Sequence, residues 1–296
     1  MDVSTTAQHK GAEDDFGESF CSGIDNLELG DFTQAIADFT EEIRLKPDCA
    51  VAYRYRAVAY SKQDDFCISV ADFTKAIELL PNDAEAYLER GIIYARLECF
   101  DRAEADFTKA IELILDSVKA SVHQNVGGIV LESSEQELAD FKKALGRLPE
   151  ITDANFNQSE LNKVLSEFSA KTGRRLSLAR AYTNRGKCHV SRRRYTQAVD
   201  DFTKVIEMNP DDAGPYVYRA TARLQDFPKA IADFTRAIEL NPNFAGAYFG
   251  RGIIYLNQDK FDLAAADFTK VLEITPENTK ASEYREAAIR KEQNQD

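Results

Sequence analysis

The sequence lacks the features that mark membrane and secreted proteins. No run approaches the roughly 20 apolar residues that a membrane-spanning helix needs, although 44% of the residues are hydrophobic. The first residues, 1–6, do not combine a basic stretch with an apolar one, so we expect no secretory signal. The five cysteines are odd in number and widely spaced, with no C-x-x-C pair, which is typical of reduced thiols. We therefore predict a soluble, cytoplasmic protein that does not bind a membrane.

Motifs for nucleotide, cofactor and metal chemistry are also missing. There is no G-x-x-x-x-G-K-[ST] phosphate loop, no G-x-G-x-x-G and no H-E-x-x-H. His9, His123 and His189 are far apart in sequence, and the neighbouring pair Cys188-His189 has no ligand spacing. We predict no catalytic residue, no cofactor, no metal and no small-molecule substrate. An enzyme whose site lies in the insertion at 152–178 stays open as an alternative.

One motif, Asp-Phe-Thr, recurs along the whole chain. Its phenylalanine occurs at Phe39, Phe73, Phe107, Phe202, Phe234 and Phe268. The first two intervals are 34 residues long, and the last two are 32 and 34. A fixed period of this length predicts a protein built from stacked supersecondary repeats.

The copy at 245–278 shows what each repeat contains. Apolar residues follow helical spacing in its first half, and residues 257–259 supply a turn. The second half, 261–274, is another amphipathic stretch that stops before Pro276. The repeat is therefore a helical hairpin. A hairpin this small must stack on its neighbours, because it cannot bury its own apolar faces.

The spacing within this copy resembles the tetratricopeptide repeat (TPR), through Tyr248-x-x-Arg251-Gly252-x-x-Tyr255, Ala264-x-x-x-Phe268 and Pro276. Tyrosine replaces the usual first tryptophan, and arginine replaces the usual leucine before the glycine. The pattern fits six repeats, which begin at residues 16, 50, 84, 179, 213 and 245. The resemblance implies an all-α, right-handed superhelical solenoid of antiparallel helix hairpins, with a helical insertion and a C-terminal capping helix.

The period also predicts how the chain is organised. We expect a disordered tail at 1–15, four repeats at 16–151, an insertion at 152–178, three repeats at 179–278, and a capping helix with a tail at 279–296. The fourth repeat, 118–150, is degenerate, and the insertion holds one helix, 160–170. The third repeat has Leu115 in place of its terminal proline, so we expect its second helix to continue past Ser117.

The resemblance implies that the first helix of each repeat lines an inner groove that holds an extended peptide or a partner's helix. We therefore predict a non-enzymatic scaffold or adaptor. Candidate apolar groove residues are Tyr55, Leu88, Ile92, Tyr218, Phe249 and Ile253. The alternative is that several of them belong to the core between repeats.

Residues 171–194 hold nine basic groups and no acidic one, in a chain of net charge −13. Arg180, Asn184 and Lys187 share one face of the predicted helix, and with Arg192 they would suit an acidic or C-terminal peptide. Two alternatives remain: these charges pair with the protein's own acids, or they bind an anion or nucleic acid, against which the net charge argues. Arg174-Arg175-Leu176-Ser177 also resembles a basophilic kinase site, where phosphate would weaken the positive field.

Some TPR proteins hold a chaperone's C-terminal carboxylate with Lys, Asn and Arg side chains spread over three repeats. The equivalent positions in the first three repeats here are Phe20, Ile24, Tyr55, Glu85 and Glu89. Two glutamates would repel such a ligand, so we expect no chaperone clamp.

Overall fold

The structure, a computed structural model, describes residues 17–126 and 174–293, with side chains described for 17–117 and 177–293. These residues form thirteen α-helices and no strand. None of the helices described is long and apolar enough to cross a bilayer. The chain divides into two parts, 1–188 and 189–296, which are described separately.

The first part contains three complete helical hairpins and most of one further helix. The hairpins are α1 (Glu18–Leu29) with α2 (Phe32–Leu45), α3 (Ala50–Lys62) with α4 (Phe66–Leu79), and α5 (Ala84–Arg96) with α6 (Phe100–Val126). The further helix is α7 (Arg174–Ser191), whose last three residues fall in the second part. Each hairpin packs on the next. Among the first helices, α1 also contacts α3, and α3 contacts α5.

The second part continues with the same architecture. Its helices after α7 are α8 (Tyr195–Met208), α9 (Ala213–Ala222), α10 (Phe227–Leu240), α11 (Ala245–Asn257), α12 (Phe261–Ile274) and α13 (Thr279–Gln293). The helix α13 packs on α12, so the predicted C-terminal helix is present. The prediction of an all-α solenoid of helix hairpins is confirmed.

Prolines set where most second helices stop. The residue that follows α4 is Leu80, which precedes Pro81, and proline disfavours helical geometry in the residue before it. The helix α6 has no such proline and runs for 27 residues to Val126. The expectation that it continues past Ser117 is confirmed.

The phenylalanine of each motif fills the crossing between the two helices of its hairpin. Phe107 is fully buried, and a Cβ atom on Gly91 of the partner helix would lie 2.7 Å from its ring. Such a contact is too short for any real side chain, so glycine permits the close approach of α5 and α6. Phe39 with Gly23 shows the same arrangement, at 2.7 Å, and Phe268 with Gly252 a slightly looser one, at 3.1 Å.

Several predicted segments lie outside the residues that the structure describes. These are the tail at 1–15, the helix at 160–170 and most of the degenerate repeat at 118–150. The helix α7 begins at Arg174, whereas the fifth repeat was predicted to begin at Ala179.

Candidate partner-binding surface

The aspartate of the motif binds the arginine of its own hairpin. Arg90 on α5 donates two hydrogen bonds to Asp106 on α6, with Nε–Oδ2 and Nη2–Oδ1 distances of 2.8 Å. The two side chains are only 15% and 8% exposed. Two parallel hydrogen bonds between opposite charges hold the two side chains in one relative orientation and also pair their charges. The same pairing joins Arg56 to Asp72, Arg219 to Asp233 and Arg251 to Asp267.

The threonine of the motif binds the arginine of the next hairpin. Thr74 Oγ1 donates to the Val70 carbonyl at 2.7 Å and accepts from Nη1 of Arg90 at 2.9 Å. Its donor and its acceptor capacity are therefore both used. The bond recurs between Thr40 and Arg56, Thr203 and Arg219, and Thr235 and Arg251. We call each set of an arginine, the aspartate of its own hairpin and the threonine of the preceding hairpin an arginine bridge.

Aromatic rings complete the surroundings of each arginine. The guanidinium carbon of Arg90 lies 5.7 Å from the ring centre of Tyr87 and 5.8 Å from that of Tyr94. Burial works to lower the pKa of Arg90, and the hydrogen bond and charge of Asp106 outweigh it and raise that pKa. Arginine at the usual leucine position is thus accommodated by an ion pair between two rings.

The helix α7 packs on the third hairpin as the first helix of a following hairpin does. Arg185 Nη1 donates to Thr108 Oγ1 at 3.2 Å, which is the bond that Arg90 makes with Thr74. The degenerate repeat, 118–150, lies mostly outside the residues that the structure describes, so its place in the stack stays a prediction.

Three tyrosines, two on first helices and one on the C-terminal helix α13, stack on the motif phenylalanine of the preceding hairpin. The ring centres are 5.8 Å apart for Tyr55 on Phe39, 5.5 Å for Tyr218 on Phe202 and 5.6 Å for Tyr284 on Phe268. Tyr218 and Tyr284 remain 37% and 38% exposed. Each ring thus rests on the protein's own core and still presents apolar surface to solvent.

The other apolar candidates divide between surface and core. Leu88 is completely buried, so it cannot meet a partner, and we withdraw it from the predicted groove. Ile92 is half-buried. Phe249 and Ile253 are half-buried and pack around Phe268 in the core between α11, α12 and α13. Several residues predicted to line the groove therefore contribute to packing between repeats.

Arg180 lies in an ion-pair cluster with the first helix of the third hairpin. Its Nη2 atom is 2.7 Å from Glu89 Oε1, and its Nη1 atom is 3.7 Å from Glu85 Oε2. The hydroxyl of Ser177 donates to the Glu85 carboxylate. Burial works to lower the pKa of Arg180, but the charges of Glu89 and Glu85 raise it. Arg180 thus pairs with acids of the protein itself, and both acids lie on α5, the first helix of the third hairpin.

The remaining basic-face candidates lie near Arg180 in sequence. Asn184 and Lys187 are on α7, where Asn184 is half-buried and Lys187 is exposed. Arg192 follows the end of α7 and belongs to the second part of the chain. In the regions with described side chains, no group of three or more His, Cys, Asp or Glu residues could hold a metal ion.

Sequence reasoning missed the arginine bridges and the stacked tyrosines. The signal was present: Arg at the usual Leu position and Asp-Phe-Thr recur with the same period, and the distance from Thr to the next Arg is 16 residues in most pairs. The spacing of Phe39 to Tyr55, Phe202 to Tyr218 and Phe268 to Tyr284 is also 16 residues.

Three family models, each of the tetratricopeptide repeat, match the chain. One matches residues 22–66 and 219–279, a second 179–212 and a third 73–105. Together they span more than half of the 296 residues. A search of the curated proteins gave no match.

Solved structures of similar fold cover most of the chain. YrrB, described as a TPR protein with an unusual peptide-binding site, has 17% identity and a TM-score of 0.52, over 84% of this chain and 97% of YrrB. Pseudomonas aeruginosa PilF has 12% identity and a TM-score of 0.59, over 91% and 96%. MamA from Desulfovibrio magneticus RS-1 has 18% identity and a TM-score of 0.52, over 78% and 97%. At these identities the likeness shows the fold alone.

Proposed function

The chain belongs to the tetratricopeptide-repeat family, and we propose that it is a non-enzymatic scaffold or adaptor whose first helices bind a peptide or helix of another protein. The observation that carries this proposal is the pair of half-exposed tyrosines, Tyr218 and Tyr284, stacked on buried phenylalanines. Tyr218 lies on the first helix of its repeat and Tyr284 on the C-terminal helix α13, and each stands 16 residues after a motif phenylalanine. Tyr55 takes the same position in the second repeat, whereas Glu89 and Gly250 take it in two others. The stacked tyrosines therefore mark particular repeats.

The stacking prepares these rings for binding. A tyrosine already held against Phe202 or Phe268 loses little side-chain entropy when a partner covers its open side. Aromatic side chains of this kind are enriched at protein interfaces and among the residues that contribute most to binding. An arginine bridge supports Tyr218, because the bond from Arg219 to Thr203 ties α9 to the hairpin before it.

The proposal is tested by selecting binding peptides from a library on the full-length chain and measuring their affinity. We expect Tyr218→Ala to weaken binding of the selected peptides by about tenfold or more, as for a central interface aromatic. Tyr195→Ala is the matched control, because Tyr195 is equally exposed, at 38%, but begins the second helix α8. Equal loss in both variants, or none in either, would contradict binding on the first helices, provided that circular dichroism shows unchanged helix content.

The chemistry of the partner is a finer part of the proposal. An acidic segment would dock on Arg180, Asn184 and Lys187 of α7, and at Arg180 it has to displace the carboxylate of Glu89. We therefore expect Glu89→Gln to raise the affinity for an acidic peptide and Arg180→Glu to abolish it. A basic peptide of equal length serves as the control. Unchanged affinity in both variants would exclude this face.

We also propose a cytoplasmic location, because the five cysteines are odd in number and widely spaced, with no C-x-x-C pair, which favours a reducing compartment. Cell fractionation against markers of the cytoplasm and of the secretory route tests this placement. Recovery of the protein in a secreted fraction would contradict it.

A further inference from the structure

We propose that Ser177 is a phosphorylation site and that its phosphate releases α7 from α5. This inference concerns how α7 packs and does not depend on which partner the chain binds. It combines a sequence feature with a cluster of contacts. Arg174 and Arg175 stand three and two positions before Ser177, which is the pattern that basophilic serine kinases select. The structure shows what the hydroxyl group of this serine holds.

Ser177 and Arg180 form one polar contact patch with α5. Ser177 Oγ donates to the carboxylate of Glu85, and Arg180 bridges Glu85 and Glu89. One turn of α7 thus faces two carboxylates and supplies one cation and one hydroxyl donor. The Ser177 hydroxyl is the only neutral donor among these four side chains, so its loss leaves Arg180 as the one donor for both carboxylates.

Phosphorylation would reverse the sign of the interaction at Ser177. The ester oxygen has no proton to donate to Glu85, and the phosphate carries close to two negative charges. These four side chains now hold two negative charges against one positive, and would then hold about four against one. Arg54 of α3 also interacts with Glu85, but it already pairs with Asp83 at 3.1 Å. Arg180 cannot neutralise the phosphate and still serve Glu85 and Glu89. The helix N-terminus attracts phosphate only weakly here, because Ser177 is the fourth residue of α7 and the dipole effect fades within the first turn.

The junction between α6 and α7 differs from the other junctions in the number of residues that join the two helices. Residues 46–49 join α2 to α3 and residues 80–83 join α4 to α5, so these first helices are tethered by short turns. By contrast, residues 127–173 separate α6 from α7. The described contacts of α7 with the third hairpin include those of Ser177 and Arg180 with α5 and the bond from Arg185 to Thr108.

The covalent step is an ordinary phosphoryl transfer from ATP. The Ser177 hydroxyl loses its proton to the base of the kinase while its oxygen bonds to the γ-phosphorus of ATP. The bond from that phosphorus to the β–γ bridging oxygen breaks, and ADP leaves. No oxidant or other co-reactant is needed.

The test treats the full-length chain with a basophilic kinase, the catalytic subunit of cAMP-dependent protein kinase, and MgATP. Mass spectrometry locates the phosphate, and hydrogen exchange is then compared with and without it. We expect phosphate on Ser177 and about tenfold faster exchange of the amides in 178–188, because local opening controls their exchange. The amides of α11 are the internal control and should not change. Ser177→Ala, treated identically, accounts for any other phosphorylated site.

Each other outcome would overturn part of the proposal. If the peptide 171–183 accepts phosphate but the folded chain does not, Ser177 is not a site in this protein. If Ser177 is phosphorylated and exchange in α7 is unchanged, the phosphate does not release the helix. In the double variant with Glu85→Gln and Glu89→Gln, phosphate should accelerate exchange much less. Equal acceleration there would show that repulsion by these two acids is not the cause.

Discussion

The first and third hairpins hold the aspartate of the same motif in different ways. In the first hairpin, Asp38 accepts from Ser22, Asn26 and Gln34, each at 2.8 Å, so all three donors are neutral. In the third hairpin, Asp106 accepts two bonds from the Arg90 guanidinium and is 5% exposed. Ser22 stands where Arg90 stands in its own repeat, 68 residues later.

The difference indicates what the arginine does. Arg90 bonds Thr74 of the preceding hairpin, whereas no described helix precedes α1 to offer Ser22 a threonine. A hairpin can therefore satisfy its aspartate without an arginine. The arginine is found where two hairpins meet, so its distinctive role is to join them.

The largest expected difference between the two hairpins appears when the charge of the motif aspartate is removed. Asp106→Asn leaves the largely buried Arg90 without its counter-charge, which should cost about 3–5 kcal/mol of unfolding free energy. Asp38→Asn weakens the hydrogen bonds that Ser22, Asn26 and Gln34 donate to this position, and it should cost about 1 kcal/mol of unfolding free energy. Urea unfolding followed by circular dichroism measures both values. Equal costs would mean that the arginine bridge adds nothing to the neutral arrangement.

The joining role alone is isolated by two threonine variants. Thr74→Val removes the acceptor of Arg90 and should cost about 1.5–3 kcal/mol, the range for a hydrogen bond to a charged group. Thr269→Val is the matched control, because Thr269 also donates to the carbonyl four residues before it. Arg285, 16 residues after Thr269, makes no bond to it within the described residues, so this variant should cost less than about 1 kcal/mol. Similar costs would contradict a specific bond between hairpins.

Acid should abolish the advantage of Asp38 over asparagine. Burial works to raise the pKa of Asp38, but the bonds from Ser22, Gln34 and Asn26 outweigh it and lower that pKa. A lowered pKa means that the stabilisation is complete above the unfolded value of about 3.9 and is lost as the pH falls through the lower folded value. The difference in urea midpoint between the protein and Asp38→Asn should therefore shrink from pH 6 to pH 2. A difference that grows in acid would contradict this pKa direction.

The smallest effect is expected for the exposed pair that follows the motif in most repeats. Lys75 Nζ lies 3.2 Å from Glu78 Oε2, but the side chains are 46% and 61% exposed. Lys75→Ala should change the unfolding free energy by no more than about 0.5 kcal/mol, because solvent screens such a pair. Unfolding at two salt concentrations checks this value. A loss of unfolding free energy as large as that of Thr74→Val would contradict this expectation, because it would mean that the repeated Lys–Glu pair contributes substantially to stability.

The fold could be predicted because its signals are local. The proline after each second helix and the glycine opposite Phe107 act within one hairpin. The period then follows because each hairpin repeats the same local pattern. The site was harder to predict because it depends on which helices meet. Leu88 was assigned to the groove from its position on α5, but it is completely buried. Nothing local to α5 distinguishes Leu88 from the half-buried Ile92 on the same helix.

The charge pattern shows the same limit. Nine basic residues without an acidic one between 171 and 194 indicated a basic face for a ligand. The acids that neutralise Arg180 come from α5, more than 90 residues earlier in the chain. A count along the sequence therefore cannot reveal this pairing, since only folding brings the two helices together.

The bond from Arg185 to Thr108 has a consequence for the order of folding. Bonds of this kind elsewhere in the chain close loops of 16 residues, whereas this one spans 77. Loop-closure entropy grows with the logarithm of loop length, so the longer span costs only about 1.4 kcal/mol more. The junction therefore costs little at equilibrium. It should still form late, because this bond and the contacts of Arg180 with Glu89 and of Ser177 with Glu85, which span 91 and 92 residues, join parts of the chain that are far apart in sequence. A nascent chain would then display a finished three-hairpin segment before α7 arrives.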